Sequence, residues 1–180
     1  SVGASLPVLI TGGIHLDGLM DTSDAMASWQ EPSKRLEILK DSHVGAFAVM
    51  GCAVYLLLEA GFISALSGRT ALAASAVFVL SRAMSAYLSI SLRQARPGGM
   101  LDGFASTAAG RAVKICSAGY AAASLAFIGV VLPLSAALCA AAAALTAVYY
   151  RRMAMKYFGG VTGDLAGWFL CVSEIAMLCA

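Results

Sequence analysis

Charged and apolar residues fall into long separate blocks along this chain. Nine of the 22 charged residues lie between residues 15 and 43. The apolar runs that follow are long enough to cross a bilayer as helices, which takes about 20 residues. One uncharged run of 36 residues is divided by a helix-breaking proline at Leu132-Pro133, so it is interpreted as two spans. The pattern predicts five membrane spans: 44–66, 70–92, the two halves of 115–150, and 161–180.

The basic residues assign a side of the membrane to the polar segments. If the spans alternate in direction, the segments 11–43, 93–114 and 151–160 share one side, and they hold ten of the 12 Lys and Arg residues. The opposite side holds only Arg69, and Arg82 lies inside a span. Because cytoplasmic loops carry the excess of basic residues, the three segments are predicted to face the cytoplasm.

Composition supports a membrane protein. The chain is 60% hydrophobic and 12% charged, with a mean hydropathy of +0.82, whereas soluble domains carry about 25% charged residues. These values exclude a solvated or disordered chain, and a net charge of +2 gives no reason to expect a nucleic-acid partner. The predicted fold is an all-α, polytopic membrane bundle. Residues 1–180 form a single domain that contains about five spans, a short N-terminal helix and the acidic segment 11–43.

The most informative chemistry is a set of three acids in that segment. Asp17, Asp21 and Asp24 stand at i, i+4 and i+7, which places them within about 60° of one helical face. Like charges so arranged repel each other, and a bound cation would compensate for the repulsion. All-oxygen ligands suit Mg²⁺ or Mn²⁺, particularly when substrate phosphates complete the coordination. The alternative is a solvated surface helix whose acids are favoured by the helix dipole.

Two further polar stretches add candidate residues. Asp41 directly precedes the first long span and is a candidate metal ligand or general base, and nearby Lys40 is a candidate phosphate contact. In the stretch Gly159–Asp164, glycines next to a helix N-terminus would let backbone N–H groups approach an anion. The alternative is a turn in which Thr162 or Asp164 caps a helix.

Charged residues inside predicted spans are costly and usually face a cavity or a partner. Arg82 could pair with Glu174 or Glu59, or it could line a phosphate site. Glu59 is expected to have a structural role.

Three blocks of the sequence resemble the cobalamin synthase (adenosylcobinamide-GDP ribazoletransferase) family. They read TGGIHLDGLMDTSDA at 11–25, RLEILKDSHVG at 35–45 and GVTGD at 160–164, and the pair Ser81-Arg82 is also similar. The chain departs from the family pattern at Ala25, where many members have Gly. It is also expected to lack a region with membrane segments that precedes the first block in the family.

The resemblance implies a Mg²⁺-dependent transferase of cobalamin biosynthesis. Such an enzyme joins α-ribazole, or its 5′-phosphate, to adenosylcobinamide-GDP and releases GMP, giving adenosylcobalamin or its 5′-phosphate. It also implies a multi-pass protein of a prokaryotic cytoplasmic (inner) membrane, with the active site facing the cytoplasm; whether it forms a homo-oligomer stays open.

The roles that the resemblance implies fall on eight residues. The expected metal ligands are Asp17, Asp21, Asp24 and Asp41. The expected catalytic residues are Asp24 and Asp41, and the expected substrate contacts are Arg82, Lys40, Thr162 and Asp164.

Three other functions are alternatives to a transferase of cobalamin biosynthesis. A CDP-alcohol phosphotransferase or a prenyltransferase would also hold metals with acids, but the Asp spacing here differs from their motifs. A transporter could use Glu59, Arg82 and Glu174 as pathway residues, although the acids concentrate at one surface. A membrane scaffold would have no need of three acids on one helical face.

Overall fold

The computed structural model describes residues 2–96 and 108–180, and this part of the chain is helical throughout its regular structure. Apart from an isolated bridge between Gln94 and Val161, these residues contain no β-structure. The all-α prediction is therefore confirmed. The helices are α1 (Val2–Thr11), α2 (Ile14–Ala27), α3 (Pro32–Ile38), α4 (Ala46–Ala65), α5 (Gly68–Ser91), α6 (Ala108–Val131), α7 (Pro133–Phe158) and α8 (Gly163–Leu178).

Four of the five predicted spans are confirmed as helices long and apolar enough to cross a membrane, namely α4, α5, α6 and α7. The break between α6 and α7 falls where the sequence places it. Pro133 occupies the first turn of α7, where a proline is well tolerated, and a new helix therefore begins at this residue. Large apolar side chains such as Phe47, Val54 and Leu57 stand exposed on α4. In a bilayer these side chains face lipid.

The fifth predicted span is a shorter helix than the other four. Residues 161–180 contain α8, which has 16 residues and is therefore about 24 Å long. It runs from Asp164 at one end of the bundle to Leu178, which lines the same pocket as Leu66 and Leu132 at the other end. Half of its residues are buried, including Leu165, Phe169 and Glu174. The helix lies inside the bundle against α2, α5 and α7, so its apolar character reflects burial among other helices.

Two predicted loops are also shorter than expected. The basic segment 151–160 was predicted to be a loop, but α7 continues through it to Phe158 because no helix breaker precedes Gly159. Gly159 adopts the left-handed conformation (φ 73°) and ends the helix. The loop predicted at 93–114 ends earlier than expected, since α6 begins at Ala108, and its residues 97–107 lie outside the described part of the chain.

Helix α2 lies between α4 and α8 and runs antiparallel to α4. Leu19 belongs to the same buried cluster as Tyr55, and one turn later Ser23 faces Gly51. At the end of α2, Asp24 reaches Gly45. Because Gly45 directly precedes α4, this end of α2 is fixed at the level where the α4 span begins.

The contact between α2 and α8 depends on two glycines. A Cβ atom on Gly18 would lie 2.5 Å from the backbone oxygen of Asp164, and one on Gly167 would lie 3.0 Å from the backbone oxygen of His15. The helix backbones therefore approach closely enough to exclude a side chain at Gly18.

We expect Gly18→Ala to lower the stability of the protein by about 1–3 kcal/mol, because α2 and α8 must move apart to admit the methyl group. Gly61→Ala is the matched control, since nothing lies within 4 Å of a Cβ at that position of α4 and alanine is the better helix former. The measurement is thermal unfolding in detergent. Equal melting temperatures for the two variants would contradict this account of the contact.

Candidate functional site

The three acids of the first motif lie on α2, as their spacing predicts. The buried side of this helix is formed by Gly18, Leu19, Thr22 and Ala25. Asp17 is exposed, whereas Asp21 and Asp24 are half-buried. The acidic face therefore borders the contact between α2 and its neighbours rather than pointing wholly into solvent.

A fourth acid joins this face from the far end of the chain. Asp164 lies in the first turn of α8 and is brought to α2 by the close contact at Gly18. Its charge and those of Asp17 and Asp24 act on Asp21. We call Asp17, Asp21, Asp24 and Asp164 the acid group.

Burial and repulsion together change the acidity of Asp21. Burial has the larger effect, followed by the negative charges of Asp17, Asp164 and Asp24, and together they raise the pKa of Asp21 to about 6. The ionised form of Asp21 is thus disfavoured in the folded protein. A cation bound nearby would relieve the repulsion from the other acids.

Asp24 has a structural function that the sequence did not indicate. Its Oδ2 accepts a hydrogen bond from the N–H of Gly45 (2.6 Å), and its Oδ1 accepts one from the N–H of Ala48 (2.8 Å). It therefore caps the N-terminus of α4 from another helix. Each oxygen keeps a second lone pair, and the role of Asp24 as metal ligand or base stays a prediction.

The second acidic candidate lies elsewhere. Asp41 is exposed between α3 and α4, and its Oδ1 accepts hydrogen bonds from the backbone N–H of His43 (3.0 Å) and pairs with its Nδ1 (2.6 Å). The acids whose charges act on Asp21 do not include Asp41. The structure thus does not bring Asp41 into the acid group, and its predicted roles remain untested by the geometry. Lys40, next to it, is likewise exposed.

The stretch Gly159–Asp164 is a tight connection between two helices. Gly160 packs against the backbone of Gln94 and Ala95 with no room for a side chain. The Oγ1 of Thr162 accepts a hydrogen bond from the N–H of Leu165 (3.2 Å) and so caps α8. This geometry favours the capping interpretation of the stretch; substrate contacts by Thr162 and Asp164 remain predictions.

Arg82 has the partner that the sequence offered as one alternative. Its Nη1 donates to Oε1 of Glu174 at 2.5 Å and to the backbone oxygen of Phe78 at 2.9 Å. This ion pair joins α5 to α8 inside the bundle. A phosphate contact by Arg82, the other alternative, would compete with Glu174.

Sequence reasoning missed one charged residue of the site. Arg96 lies close enough to Asp164 for its positive charge to counteract the effect of burial on that carboxyl. It also donates a hydrogen bond to the backbone oxygen of Leu36 at the end of α3. Arg96 was counted only as a basic loop residue, and no local pattern pairs it with an acid 68 positions away.

The donor set of the acid group suits a hard divalent cation. In the described part of the chain, neither the carboxylate of Asp17 nor that of Asp21 has a hydrogen-bond or ion-pair partner. Across residues 2–96 and 108–180, no three His, Cys, Asp or Glu side chains are already gathered tightly enough to hold a metal ion. The group offers unpaired oxygen ligands that a cation would have to draw together, and this fits the preference of Mg²⁺ for few carboxylates combined with phosphate and water.

Residues 2–180 match the family of cobalamin-5-phosphate synthases over nearly the whole chain. The chain belongs to this family. The resemblance carried by the three sequence blocks is therefore confirmed.

Several curated relatives carry the name adenosylcobinamide-GDP ribazoletransferase. The protein of Lachnoclostridium phytofermentans is 39% identical over 171 residues, which are 95% of this chain and 66% of that protein. Those of Desulfitobacterium hafniense and Geobacillus kaustophilus are 35% and 36% identical, over 97% and 90% of this chain and 69% and 63% of their own lengths. The chain thus spans about two thirds of the relatives that it matches. No solved structure matches it.

Asp24 has backbone partners on α4 and the Asp17 carboxylate has none among the described residues, so removing each acid should affect stability differently. We expect Asp24→Ala to lower the free energy of unfolding by about 0.5–2 kcal/mol, since it removes the cap of α4. Asp17→Ala is the matched control on the same helix, and it should leave stability unchanged or raise it by relieving repulsion on Asp21. Thermal unfolding without divalent cations measures both variants. A destabilised Asp17→Ala would show that the acid group contributes to folding.

Asp21 should make stability depend on pH. Because its pKa is raised from 3.8 to about 6, the folded protein binds the proton more tightly than the unfolded chain does. The stabilisation that Asp21 gives the folded state is therefore complete below pH 3.8 and is lost as the pH rises through about 6. Asp21→Asn should abolish this part of the decline and melt at a higher temperature than the unsubstituted protein at neutral pH, without divalent cations. Parallel pH profiles for the two proteins would argue against the raised pKa.

Proposed function

We propose that the full-length protein is the transferase that joins α-ribazole, or its 5′-phosphate, to adenosylcobinamide-GDP. Family membership and the names of the relatives support this activity. The observation that carries it for this chain is the acid group, in which α2 and α8 hold four carboxylates that act on each other.

The reaction is a phosphoryl transfer. A hydroxyl of the ribazole ribose forms a bond to the phosphorus next to the corrinoid aminopropanol, the bond from that phosphorus to GMP breaks, and the hydroxyl proton passes to a base. Such reactions depend mainly on positioning and on neutralising phosphate charge. Magnesium, if held by Asp17 and Asp21, would supply that neutralisation.

The proposal assigns the metal to Asp17 and Asp21 first, because their oxygens have no other partner in the described residues. Asp24 is the proposed base, since it borders them and each of its oxygens has a free lone pair. His43 engages only Oδ1 of Asp41, but Asp41 lies outside the acid group, so it can act as a ligand or base only if it moves towards that group. Lys40 is the proposed contact for the diphosphate, together with Thr162 and Asp164 in the first turn of α8, where the helix dipole favours a phosphate. Arg82 can join them only by giving up its ion pair with Glu174.

We further propose that the acid group faces the cytoplasm in a prokaryotic inner membrane. Supporting this, the ends of α2, α5, α7 and the start of α4 are predicted to lie on the side that holds ten of the 12 basic residues. Nucleotide and ribazole substrates would then reach the site from the cytoplasm.

The decisive assay follows GMP release from adenosylcobinamide-GDP and α-ribazole 5′-phosphate by the full-length protein in liposomes, with Mg²⁺ and with EDTA. Release should require Mg²⁺, and Asp17→Ala or Asp21→Ala should reduce it by roughly 100-fold or more, since each removes charge stabilisation at the reacting phosphate.

Glu37→Ala is the control for these variants. Glu37 is an exposed acid on α3 that pairs with Lys34 (2.7 Å) and lies outside the acid group. It should leave GMP release unchanged. Release that persists in EDTA, or that Asp17→Ala and Asp21→Ala leave intact, would disprove the metal assignment; no release by the unsubstituted protein would disprove the activity.

A further inference from the structure

A second set of ionisable side chains lies inside the bundle, where α4, α5 and α8 meet. It contains Glu59, Glu174, Arg82, Tyr55 and Cys171. Glu59 and Glu174 are each only 1% exposed. The acid group and the proposed reaction make no use of Glu59.

Glu174 has a full complement of partners. Its Oε1 accepts hydrogen bonds from Ser81 Oγ (2.8 Å) and Arg82 Nη1 (2.5 Å), and its Oε2 accepts one from the hydroxyl of Tyr55 (3.3 Å). Arg82, the guanidinium that the described residues place in this region, is therefore paired with Glu174. This pairing explains why Glu174 can be buried as a charged carboxylate.

Glu59 is the opposite case. Neither of its carboxyl oxygens has a hydrogen-bond partner in the described residues, although the side chain is fully enclosed. The groups that act on it are Glu174 of α8, Arg82 of α5 and Tyr55 of its own helix, and Cys171 of α8 lies within the same electrostatic range. Among residues 2–96 and 108–180, this part of the interior thus contains two carboxyls and one cation, and the cation is already paired with Glu174.

An unpaired carboxylate is among the most costly groups to bury, and a buried acid in this position is expected to become neutral. We propose that Glu59 is a proton-binding site of the bundle interior, at which the side chain takes up one proton from water and holds it as a carboxylic acid in the folded protein. The neutral acid gains an O–H donor and leaves the ion pair of Arg82 and Glu174 undisturbed. The proposal is independent of the transferase reaction.

The proton can be observed by infrared spectroscopy on the full-length protein in lipid, recorded from mildly acidic to mildly alkaline pH and compared at each pH with Glu59→Gln. The spectrum should contain the C=O stretching band of a buried protonated carboxylic acid, and this band should move to lower frequency in D₂O. Glu59→Gln should remove the band, whereas Glu37→Gln, which changes an exposed ionised acid, should leave it in place.

Stability gives a second readout. Gln has the shape and neutrality of a protonated Glu, so Glu59→Gln should keep the melting temperature of the unsubstituted protein. Glu174→Gln should lower it, because Arg82 loses its buried counter-charge.

Three results would overturn the proposal. The first is a spectrum without the band, or with a band that survives in Glu59→Gln. The second is a Glu59→Gln variant as unstable as Glu174→Gln or unable to fold, which would mean that the charge of Glu59 is needed. The third is a melting temperature that rises with Na⁺ in the unsubstituted protein and not in Glu59→Gln, which would assign a metal cation in place of the proton.

Discussion

The close contact of α2 with α8 determines most of what this protein can do. Gly18 and Gly167 leave out the side chains that would hold the two backbones apart, and Asp164 is thereby brought to the acids of α2. The same contact places His15 next to Cys171. The Sγ of Cys171 donates a hydrogen bond to the backbone oxygen of His15. A buried helix of 16 residues thus serves as the support on which the polar face of α2 is assembled.

The acid group is held together against its own electrostatics. Its members raise the pKa of Asp21, and in the described residues the compensating positive charge comes from Arg96 next to Asp164. Inside the bundle, by contrast, the charges of Arg82 and Glu174 neutralise each other. Among the described residues, mutually repelling carboxylates are thus gathered where α2 meets α8, and such clusters of perturbed acids are typical of functional sites.

Asp24 links this site to the membrane. By accepting hydrogen bonds from the backbone of Gly45 and Ala48, it fixes the end of α2 to the start of the α4 span. The depth of α4 in the bilayer therefore also sets the depth of Asp21 and Asp17, one and two turns along α2.

The sequence by itself determined the features that depend on local pattern. Hydropathy placed α4 to α7 and their break at Pro133, and the spacing of three acids put them on one helix, because both follow from the geometry of a single helix. Tertiary structure alone decided that Asp164 joins them and Asp41 does not, that α8 is a buried helix, and that Glu59 has no hydrogen-bond partner among the residues that the structure describes. Those outcomes depend on which helix faces meet, and this is set by glycines whose role is invisible until their neighbours are known.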